Sequence, residues 1–464
     1  MTVYEIRLKK TEKNMRIIIA GCGKIGAALT RLLTGEGHEI TVMDTVPRCV
    51  DELVNTYDVQ GVYGNAADSD ALREAKVEQM DVFIAVTTSD ELNMLACLFA
   101  RRMGAGHTIA RIRNTDYNDD SLSFIKQELH LSMSLNPDNL AAQQLFNILK
   151  LPSAVQIETF RNIEMVQLKI KAGSVLDNAT LLELRRRIST PFLVCTVERG
   201  SAVFIPDGHF TLTAGDTVGI VASPADIPKL LKKFDLMSKQ ARNIMILGGS
   251  RAAYYLARKL SFIGNTVKII DKDETRCRDM AALLPSLSVI HGDGTHQELL
   301  FEEGIRSMDA FIALTGTDEE NILLSVFAQS ISVPTVITKV NSDELSRIAV
   351  KLGLDHVISP KRAVADVVSG YVRALHNSAG SKIETLYRLA DEKAEALEFL
   401  VDADFRDAGV PLKDIHFKSN TLIAGIVRDR RTIIPSGADC IKAGDRVIVV
   451  TSGHACKALT DIIK

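Results

Sequence analysis

Tryptophan is absent from the 464-residue chain, and aromatic residues together make up only 5% of it. Surfaces that stack nucleic-acid bases or sugars are built from aromatic side chains, so such a platform is not expected. An excess of one charge is also lacking, because the formal net charge is −3, and this argues against a nucleic-acid binder. Apolar runs reach only strand length, short of the ~18–20 residues of a membrane span, and no signal-peptide pattern opens the sequence.

Metal-binding and disulfide patterns are also missing. An odd, dispersed set of cysteines without a C-x-x-C pair argues against a disulfide framework or a zinc ribbon and fits a reducing cytoplasm. The ten histidines include no H-x-x-x-H spacing. His291 and His296 flank a glycine turn but make a weak metal candidate, so no metal site is expected. The seven cysteines are Cys22, Cys49, Cys97, Cys195, Cys277, Cys440 and Cys456.

The composition is otherwise that of a folded protein, with 46% apolar and 24% charged residues. These values are near the average for globular chains and argue against disorder. The length predicts three or four domains.

The chain repeats itself in the order A–B–A′–B′. Residues 15–44 read MRIIIAGCGKIGAALTRLLTGEGHEITVMD, and residues 242–271 read RNIMILGGSRAAYYLARKLSFIGNTVKIID. A second, different pair is VFIPDGHFTLTAGDTVGIVAS at 203–223 and TIIPSGADCIKAGDRVIVVTS at 432–452. Repeated segments of this length indicate duplicated domains.

The A units alternate strand and helix patterns, which predicts an α/β fold with a doubly wound, Rossmann-like parallel sheet. The B units combine short strands, turn signals and one leucine-rich helix, which predicts a small α+β domain. The predicted boundaries are an N-terminal tail at 1–14, Rossmann-like domains at 15–135 and 242–362, linker helices at 136–152 and 363–384, and α+β domains at 153–236 and 385–464.

Residues 21–26 form G-x-G-x-x-G between a predicted strand and a predicted helix, and Asp44 ends the next strand. Gly21 permits the tight turn, Gly23 lets a pyrophosphate approach the backbone, and Gly26 lets the helix lie close to the sheet. The helix N-terminus offers N–H groups to the anion, and Asp44 would accept hydrogen bonds from ribose hydroxyls. The alternative is a glycine-rich turn that has lost its ligand.

Three further candidate residues lie at the fourth strand's end or in the fifth strand of the first A unit. Thr87 and Thr88 end the fourth strand, where they would line the nucleotide crevice, although Thr88-x-x-Glu91 also fits a helix capping box. Arg111 would reach the phosphates or form a surface ion pair. The candidate cofactor-binding residues of this copy are Gly21, Cys22, Gly23, Lys24, Ile25, Gly26, Asp44, Thr87, Thr88 and Arg111.

The second copy of the motif is degraded, because Ser250 and Ala253 replace its second and third glycines. Ser250 is expected to hinder the pyrophosphate, so this unit binds NAD(H) weakly, prefers a nucleotide with a different phosphate path, or serves only as a structural domain. Thr317-x-x-Glu320 again fits a capping box. The candidate residues are Gly248, Gly249, Ser250, Arg251, Ala252, Asp271, Thr315 and Lys339.

Cys22 lies inside the first glycine loop. A helix N-terminus lowers the pKa of a thiol, so a redox sensor is one interpretation. The other is that Cys22 is simply a small residue at a variable position of the motif.

An enzyme is not expected. A dehydrogenase needs a second domain that brings a proton-transfer group to the nicotinamide, and neither B unit offers a His/Asp or Lys/Asp constellation. An NAD-dependent oxidoreductase with an unrecognised substrate domain is the alternative, and a scaffold with inactive nucleotide folds is a third hypothesis. Valine-rich modules leave apolar faces to cover, so an oligomer is predicted.

The sequence resembles the tandem RCK (KTN) proteins, the regulatory subunits of Trk potassium-uptake systems. The A–B–A′–B′ order, IIIAGCGKIGAALTRLL with Asp44, VTTSDELNMLAC, ASPADI and IPSGADCIKAGDRVIVV carry this resemblance, which covers residues 15–464. It implies RCK N-terminal domains for A, RCK C-terminal domains for B, and binding of NAD(H), with ATP or ADP in some members. It further implies a cytoplasmic, peripheral homo-oligomer, a tetrameric ring or a dimer, that gates a TrkH-like membrane potassium channel or transporter subunit. Ser250 and Ala253 depart from the family pattern.

Overall fold

The computed structural model describes residues 14–114, 117, 119–150, 154–160, 163–200, 202–236, 241–378, 383–389, 394–403, 405–429, 431–452, 456 and 458–464. All but the last residue of the predicted N-terminal tail lie outside this part. The chain divides into two compact units, Met1–Ala141 with Ser359–His376 and Ala142–Ile358 with Asn377–Lys464.

The first repeat begins with a six-stranded parallel sheet in the order β3-β2-β1-β4-β5-β6. Its strands are β1 (Arg16–Ala20), β2 (Glu39–Asp44), β3 (Gln60–Tyr63), β4 (Val82–Ala85), β5 (His107–Arg111) and β6 (Met133–Leu135). The helices between and after them are α1 (Lys24–Gly35), α2 (Pro47–Thr56), α3 (Ser69–Glu74), α4 (Asp90–Met103), α5 (Asp119–Glu128) and α6 (Pro137–Lys150).

An antiparallel sheet follows in the order β10-β9-β11-β8-β7. It consists of β7 (Ala154–Phe160), β8 (Ile163–Lys169), β9 (Leu193–Arg199), β10 (Ala202–Phe204) and β11 (Thr217–Ala222), with helices α7 (Leu181–Arg187) and α8 (Ile227–Lys233). Thr180 and Glu183 form a complete capping box at the start of α7.

The second repeat has the same architecture, with a parallel sheet in the order β14-β13-β12-β15-β16-β17. Its strands are β12 (Asn243–Leu247), β13 (Thr266–Asp271), β14 (Ser288–His291), β15 (Ala310–Ala313), β16 (Thr335–Lys339) and β17 (His356–Ile358). Its helices are α9 (Arg251–Phe262), α10 (Glu274–Leu283), α11 (Gln297–Glu302), α12 (Asp318–Ser330), α13 (Asp343–Lys351) and α14 (Pro360–Ser378).

The last sheet is antiparallel, in the order β18-β19-β22-β20-β21. A 3-10 turn at Leu412–Asp414 stands where the first copy has α7. The strands are β18 (Ile383–Leu389), β19 (Ala394–Leu400), β20 (Thr421–Arg428), β21 (Arg431–Ile433) and β22 (Arg446–Thr451). The prediction of two doubly wound parallel sheets, each followed by a small α+β domain, is confirmed, while the domain boundaries stay predictions.

Both faces of the first parallel sheet are covered, because its strands are apolar on both sides. In β1, Ile17 and Ile19 face a cluster with α1 and α2, whereas Ile18 and Ala20 face a cluster with α3 and α4. Continuous apolar runs of this kind are the sequence signature of a buried parallel strand.

Helix α14 of the second repeat completes the core of the first parallel sheet. It starts at Pro360, earlier than the predicted 363, because proline is favoured in the first turn of a helix. Its apolar side chains join the β1 face of the first sheet: Val364, Ala365, Val368 and Val372. Two polar side chains of α14 reach the residue that ends α1, since Ser369 and Arg373 both donate to the carboxylate of Glu36.

The two antiparallel modules pack on each other within the second unit. Their shared apolar cluster contains Ile163 and Val221 from the first module and Ala424 and Ile448 from the second. A Cβ built on Gly425 would lie 2.2 Å from the Cδ1 of Ile163, so the two modules approach each other closely at this glycine. Among the described residues, no helix has both the length and the apolar character that crossing a membrane requires.

Candidate functional site

The candidate site of each repeat lies where the strand order of the parallel sheet reverses. In the first repeat β1 lies between β2 and β4, and the connections leave β1 and β4 in opposite directions. Such a switch point opens a crevice at the carboxyl ends of the strands, where ligands of doubly wound sheets bind. The G-x-G-x-x-G loop follows β1 into this crevice.

Two glycines of the first loop are required by its packing. Gly21 has φ +106°, and a Cβ there would lie 2.8 Å from the backbone of Val86 and Thr87 at the end of β4. A Cβ on Gly26 would lie 1.9 Å from the carbonyl oxygen of Gly21. The loop therefore turns tightly against β4, and α1 packs directly on it.

Gly23 is different, because a Cβ built on it meets no protein atom within 4 Å. It is the N-cap of α1, with no side-chain hydrogen bond to the first-turn amides. The space in front of this backbone is open to an anionic ligand, and the first-turn N–H groups lie beside it. This cradle fits the pyrophosphate of a dinucleotide.

Asp44 lies next to the loop and stays partly exposed. Its Oδ2 accepts from the backbone N–H of Cys22 at 2.7 Å, and its Oδ1 accepts from that of Val46 at 3.0 Å. The two amides fix the carboxylate at the mouth of the crevice, where it can accept hydrogen bonds from ribose hydroxyls.

The end of β4 is tied to the end of β5 by a buried asparagine. The Asn93 side chain accepts from the backbone N–H of Thr87 at 2.8 Å and donates to the carbonyl of Arg111 at 2.9 Å. Arg111 is buried, and its guanidinium donates to the Thr87 carbonyl, which joins the ends of β4 and β5 a second time. Thr88 is exposed beside them.

Sequence reasoning missed Asn93 and its neighbour Asp90, whose carboxylate accepts from the backbone N–H groups of Arg113 and Asn114, both at 2.7 Å. Their counterparts Asn321 and Asp318 make the same contacts in the second repeat. The signal was available, because D-x-x-N stands at the same place in both copies.

The predicted capping boxes at Thr88 and Thr317 are wrong. Helix α4 is capped by Ser89, whose hydroxyl accepts from the backbone N–H of Leu92. Thr317 does occupy the N-cap position of α12, but its side chain makes no capping hydrogen bond. Ser89, the residue after Thr88, takes the N-cap position of α4, because serine is a better helix cap than threonine.

The loop of the second repeat keeps its tight turn, with Gly248 at φ +99° packed against Leu314 and Thr315. Ser250 stands in place of Gly23, and its hydroxyl accepts from the backbone N–H of Ala253 at 3.3 Å. The serine therefore both adds atoms to the space that is open in the first repeat and takes up a first-turn amide. Arg251 is exposed, as Lys24 is at the corresponding position.

The carboxylate of the second repeat is already engaged. Asp271 Oδ2 accepts from the backbone N–H of Gly249 at 2.5 Å and from the Arg276 guanidinium at 2.9 Å. Burial alone would raise the pKa of Asp271, but the amides of Asp273 and Gly249 and the charge of Arg276 outweigh it, and the pKa lies below its usual range. The Asp271 side chain is only 5% exposed, so its carboxylate is less available to the hydroxyls of a ribose than that of Asp44.

Lys339 takes the place of Arg111 and donates to the carbonyl of Leu314 at 3.3 Å. Thr315 takes the place of Thr87, with its backbone N–H held by Asn321. The strand ends of both repeats are therefore built alike, and the glycine loops differ.

Comparison with known proteins defines the class. The TrkA-N domain model matches residues 17–124 and 244–360, and the TrkA-C domain model matches residues 165–235 and 397–464. A Trk system potassium uptake protein TrkA homolog of Archaeoglobus fulgidus is 30% identical over 97% of this chain and 100% of its own length. The chain therefore belongs to the TrkA family, as the sequence resemblance indicated.

A second relative agrees with this assignment, and solved structures share the fold. A Trk system potassium uptake protein TrkA of Halomonas elongata is 30% identical over 94% of this chain and 95% of its own. Among solved structures, the GsuK channel bound to NAD shares the fold with a TM-score of 0.64 at 18% identity, over 97% of this chain and 80% of that one. GsuK bound to ADP has a TM-score of 0.50 at 15% identity, over 80% of this chain and 74% of that one.

Proposed function

We propose that this protein is the nucleotide-sensing regulatory subunit of a Trk-type potassium-uptake system. The observation that carries the proposal is the first glycine loop, with an open cradle at Gly23 beside the fixed carboxylate of Asp44. The names of the relatives, which describe potassium uptake proteins, supply the process that the nucleotide would control.

The ligand of the first site is NAD(H), with ADP or ATP as further candidates. The first-turn amides of α1 would hold the phosphates, and Asp44 would accept from the adenosine ribose hydroxyls. The GsuK neighbours described as bound to NAD and to ADP support this choice. The second site binds the same ligands more weakly, because Ser250 fills the cradle and Arg276 occupies Asp271.

A path for the signal runs through α1. Its N-terminal end forms the phosphate cradle, and Glu36 at its C-terminal end holds Ser369 and Arg373 of α14. A ligand that draws α1 toward the loop acts on α14 through this contact, and α14 leads into the C-terminal module that begins with β18. The nucleotide can shift the equilibrium between two conformations of the protein only by as much as its affinities for those two conformations differ.

The effect is mechanical, and the chain is a regulator rather than an enzyme. It acts as a homo-oligomer, a tetrameric ring or a dimer, on the cytoplasmic face of a TrkH-like membrane subunit. Steady consumption of NADH with candidate substrates would instead support the oxidoreductase alternative.

The test is potassium flux in liposomes that carry the membrane subunit and the full-length protein. NADH, NAD⁺, ADP and ATP are added in turn, and flux is expected to depend on at least one of them. In the Asp44→Asn variant, the NADH concentration that gives half of the maximal change in potassium flux should rise about tenfold or more, because a hydrogen bond to a charged acceptor is weakened. Flux that no nucleotide changes would contradict the proposal.

A further inference from the structure

Two cysteines lie on either side of Asp44 in the first repeat. Cys22 belongs to the glycine loop and donates its backbone N–H to the Asp44 carboxylate at 2.7 Å. Cys49 is the third residue of α2, the helix that begins just after β2. Cys22 is buried in the apolar cluster on the β1 face of the sheet, and the partly buried Cys49 packs against the same cluster.

The corresponding positions of the second repeat show how far apart two such side chains lie. Gly249 stands in place of Cys22, with the same hydrogen bond to the aspartate, and Arg276 is likewise the third residue of its helix. A Cβ built on Gly249 lies 3.5 Å from the Cγ of Arg276. Cγ of arginine corresponds to Sγ of cysteine, since each is bonded to Cβ. In a disulfide, a Cβ lies about 3 Å from the far sulfur, so these positions are within a small movement of bonding distance.

We propose that Cys22 and Cys49 form a reversible disulfide under peroxide, and that this bond lowers the affinity of the first site for its nucleotide. The inference on affinity rests on the proposed function. The second repeat, with Gly249 and Arg276, has no such pair at these positions.

The chemistry proceeds in two steps. Peroxide oxidises the Cys49 thiol to a sulfenic acid and releases one water. Cys22 then gives up its thiol proton and attacks that sulfur as a thiolate, an S–S bond forms, and the leaving hydroxide takes up that proton as a second water. Two thiols and one hydrogen peroxide give one disulfide and two waters.

Cys49 is the residue oxidised first. Burial, together with the negative charges of Asp44 and a Cys49 thiolate, raises the pKa of Cys22 to about 12, so Cys22 keeps its proton until the sulfenic acid has formed. The lowered pKa on which one of the two interpretations of Cys22 was based is therefore not found. Cys49 is partly exposed and open to the oxidant.

The bond acts on the ribose end of the crevice. It joins the glycine loop to the first turn of α2, and these two segments supply the amides of Cys22 and Val46 that hold Asp44. Closing non-bonded sulfurs to about 2 Å draws the segments together and narrows the space that the ribose enters. A coupling of this kind is expected to weaken NADH binding about tenfold.

The test treats the full-length protein with hydrogen peroxide, blocks free thiols with iodoacetamide, and maps peptides under non-reducing conditions. We expect a cross-linked Cys22–Cys49 peptide, an NADH affinity about tenfold lower by calorimetry, and recovery of both on reduction with dithiothreitol. Cys49→Ser should bind NADH normally and lose the response to peroxide.

Cys440→Ser is the matched control, because Cys440 is also partly exposed but lies in a C-terminal module, and this variant should respond as the unaltered protein does. A peptide map without the cross-link would overturn the disulfide, and a cross-link without a change in affinity would overturn its regulatory role. If the reduced protein binds no NADH, the proposed function fails, and so does the claim that the disulfide lowers NADH affinity. The peptide map still decides whether Cys22 and Cys49 form a disulfide.

Discussion

Replacing Glu36 by glutamine weakens the contact that holds α14 on the first parallel sheet. The Glu36 carboxylate accepts from Ser369 at 2.6 Å and from Arg373 at 2.7 Å. The Glu36 and Arg373 side chains are only 5% and 13% exposed. Burial alone would raise the pKa of Glu36, but the His38 imidazole, whose Nε2 lies 3.6 Å from Oε2, and the hydrogen bonds from Arg373 and Ser369 outweigh it and lower the pKa to about 2.

The size of the effect follows from this pKa. A glutamate has a pKa of about 4.3 in an unfolded chain, so a fall to about 2 on folding corresponds to roughly 3 kcal/mol of stability at neutral pH. Breaking a buried ion pair by removing one partner costs about 3–5 kcal/mol, in the same range. Because the folded pKa is the lower one, the stabilisation is present above about pH 4.3 and is lost as the pH falls through about 2.

Hydrogen exchange of the α14 amides measures this directly. A loss of about 3 kcal/mol in the free energy of local opening makes exchange about 100-fold faster in Glu36→Gln at neutral pH. Glu39→Gln, at an exposed residue of β2, is the control and should change the opening free energy by less than about 0.5 kcal/mol. The double variant Glu36→Gln/Arg373→Met should recover much of the loss, because no buried charge is left unpaired. Unaltered exchange in Glu36→Gln would refute the reasoning.

Two further predictions concern the glycine loops. Gly26→Ala should destabilise the first unit by about 1–3 kcal/mol, because its Cβ would lie 1.9 Å from the carbonyl oxygen of Gly21; a calorimetric melting temperature equal to that of the unaltered protein would contradict this. Ser250→Gly removes the hydroxyl that accepts from the Ala253 amide, which should lower the stability of the protein by only a few tenths of a kcal/mol. The same change should raise the NADH affinity of the second site. If titration shows no gain, the serine does not obstruct the phosphates.

The features that depend on short-range pattern could be predicted from the sequence. The parallel sheets follow from continuous apolar runs such as RIIIA and VFIA, which alternate with helical segments. The positions of Gly21 and Asp44 follow from the spacing of the glycine motif, and the internal repeat located the equivalent residues at Gly248 and Asp271.

The features that depend on side-chain competition or on contacts distant in the chain could not be predicted. Nothing in the local sequence shows that Arg276, rather than a ligand, engages Asp271. The pairing of Glu36 with Arg373 joins residues far apart in sequence, and no helical period reveals it. Burial reversed the expected direction of the Cys22 pKa, because the thiol turns into the core rather than toward the helix N-terminus.

The contribution of α14 to the first sheet also decides how the two sites must be compared. A first half expressed alone would lack Val368 and Val372 of the core, and also Ser369 and Arg373, which donate to Glu36. Point variants of the full-length chain keep this core complete.

Calorimetric titration of the full-length protein with NADH, beside Asp44→Asn and Asp271→Asn, tests the central claim that the first loop is the principal nucleotide sensor. We expect one tight binding event per chain, weakened about tenfold or more by Asp44→Asn. Asp271→Asn should change it little, because the Asp271 carboxylate already accepts a hydrogen bond from Arg276. Two equal sites, or an Asp271→Asn variant as impaired as Asp44→Asn, would contradict the account.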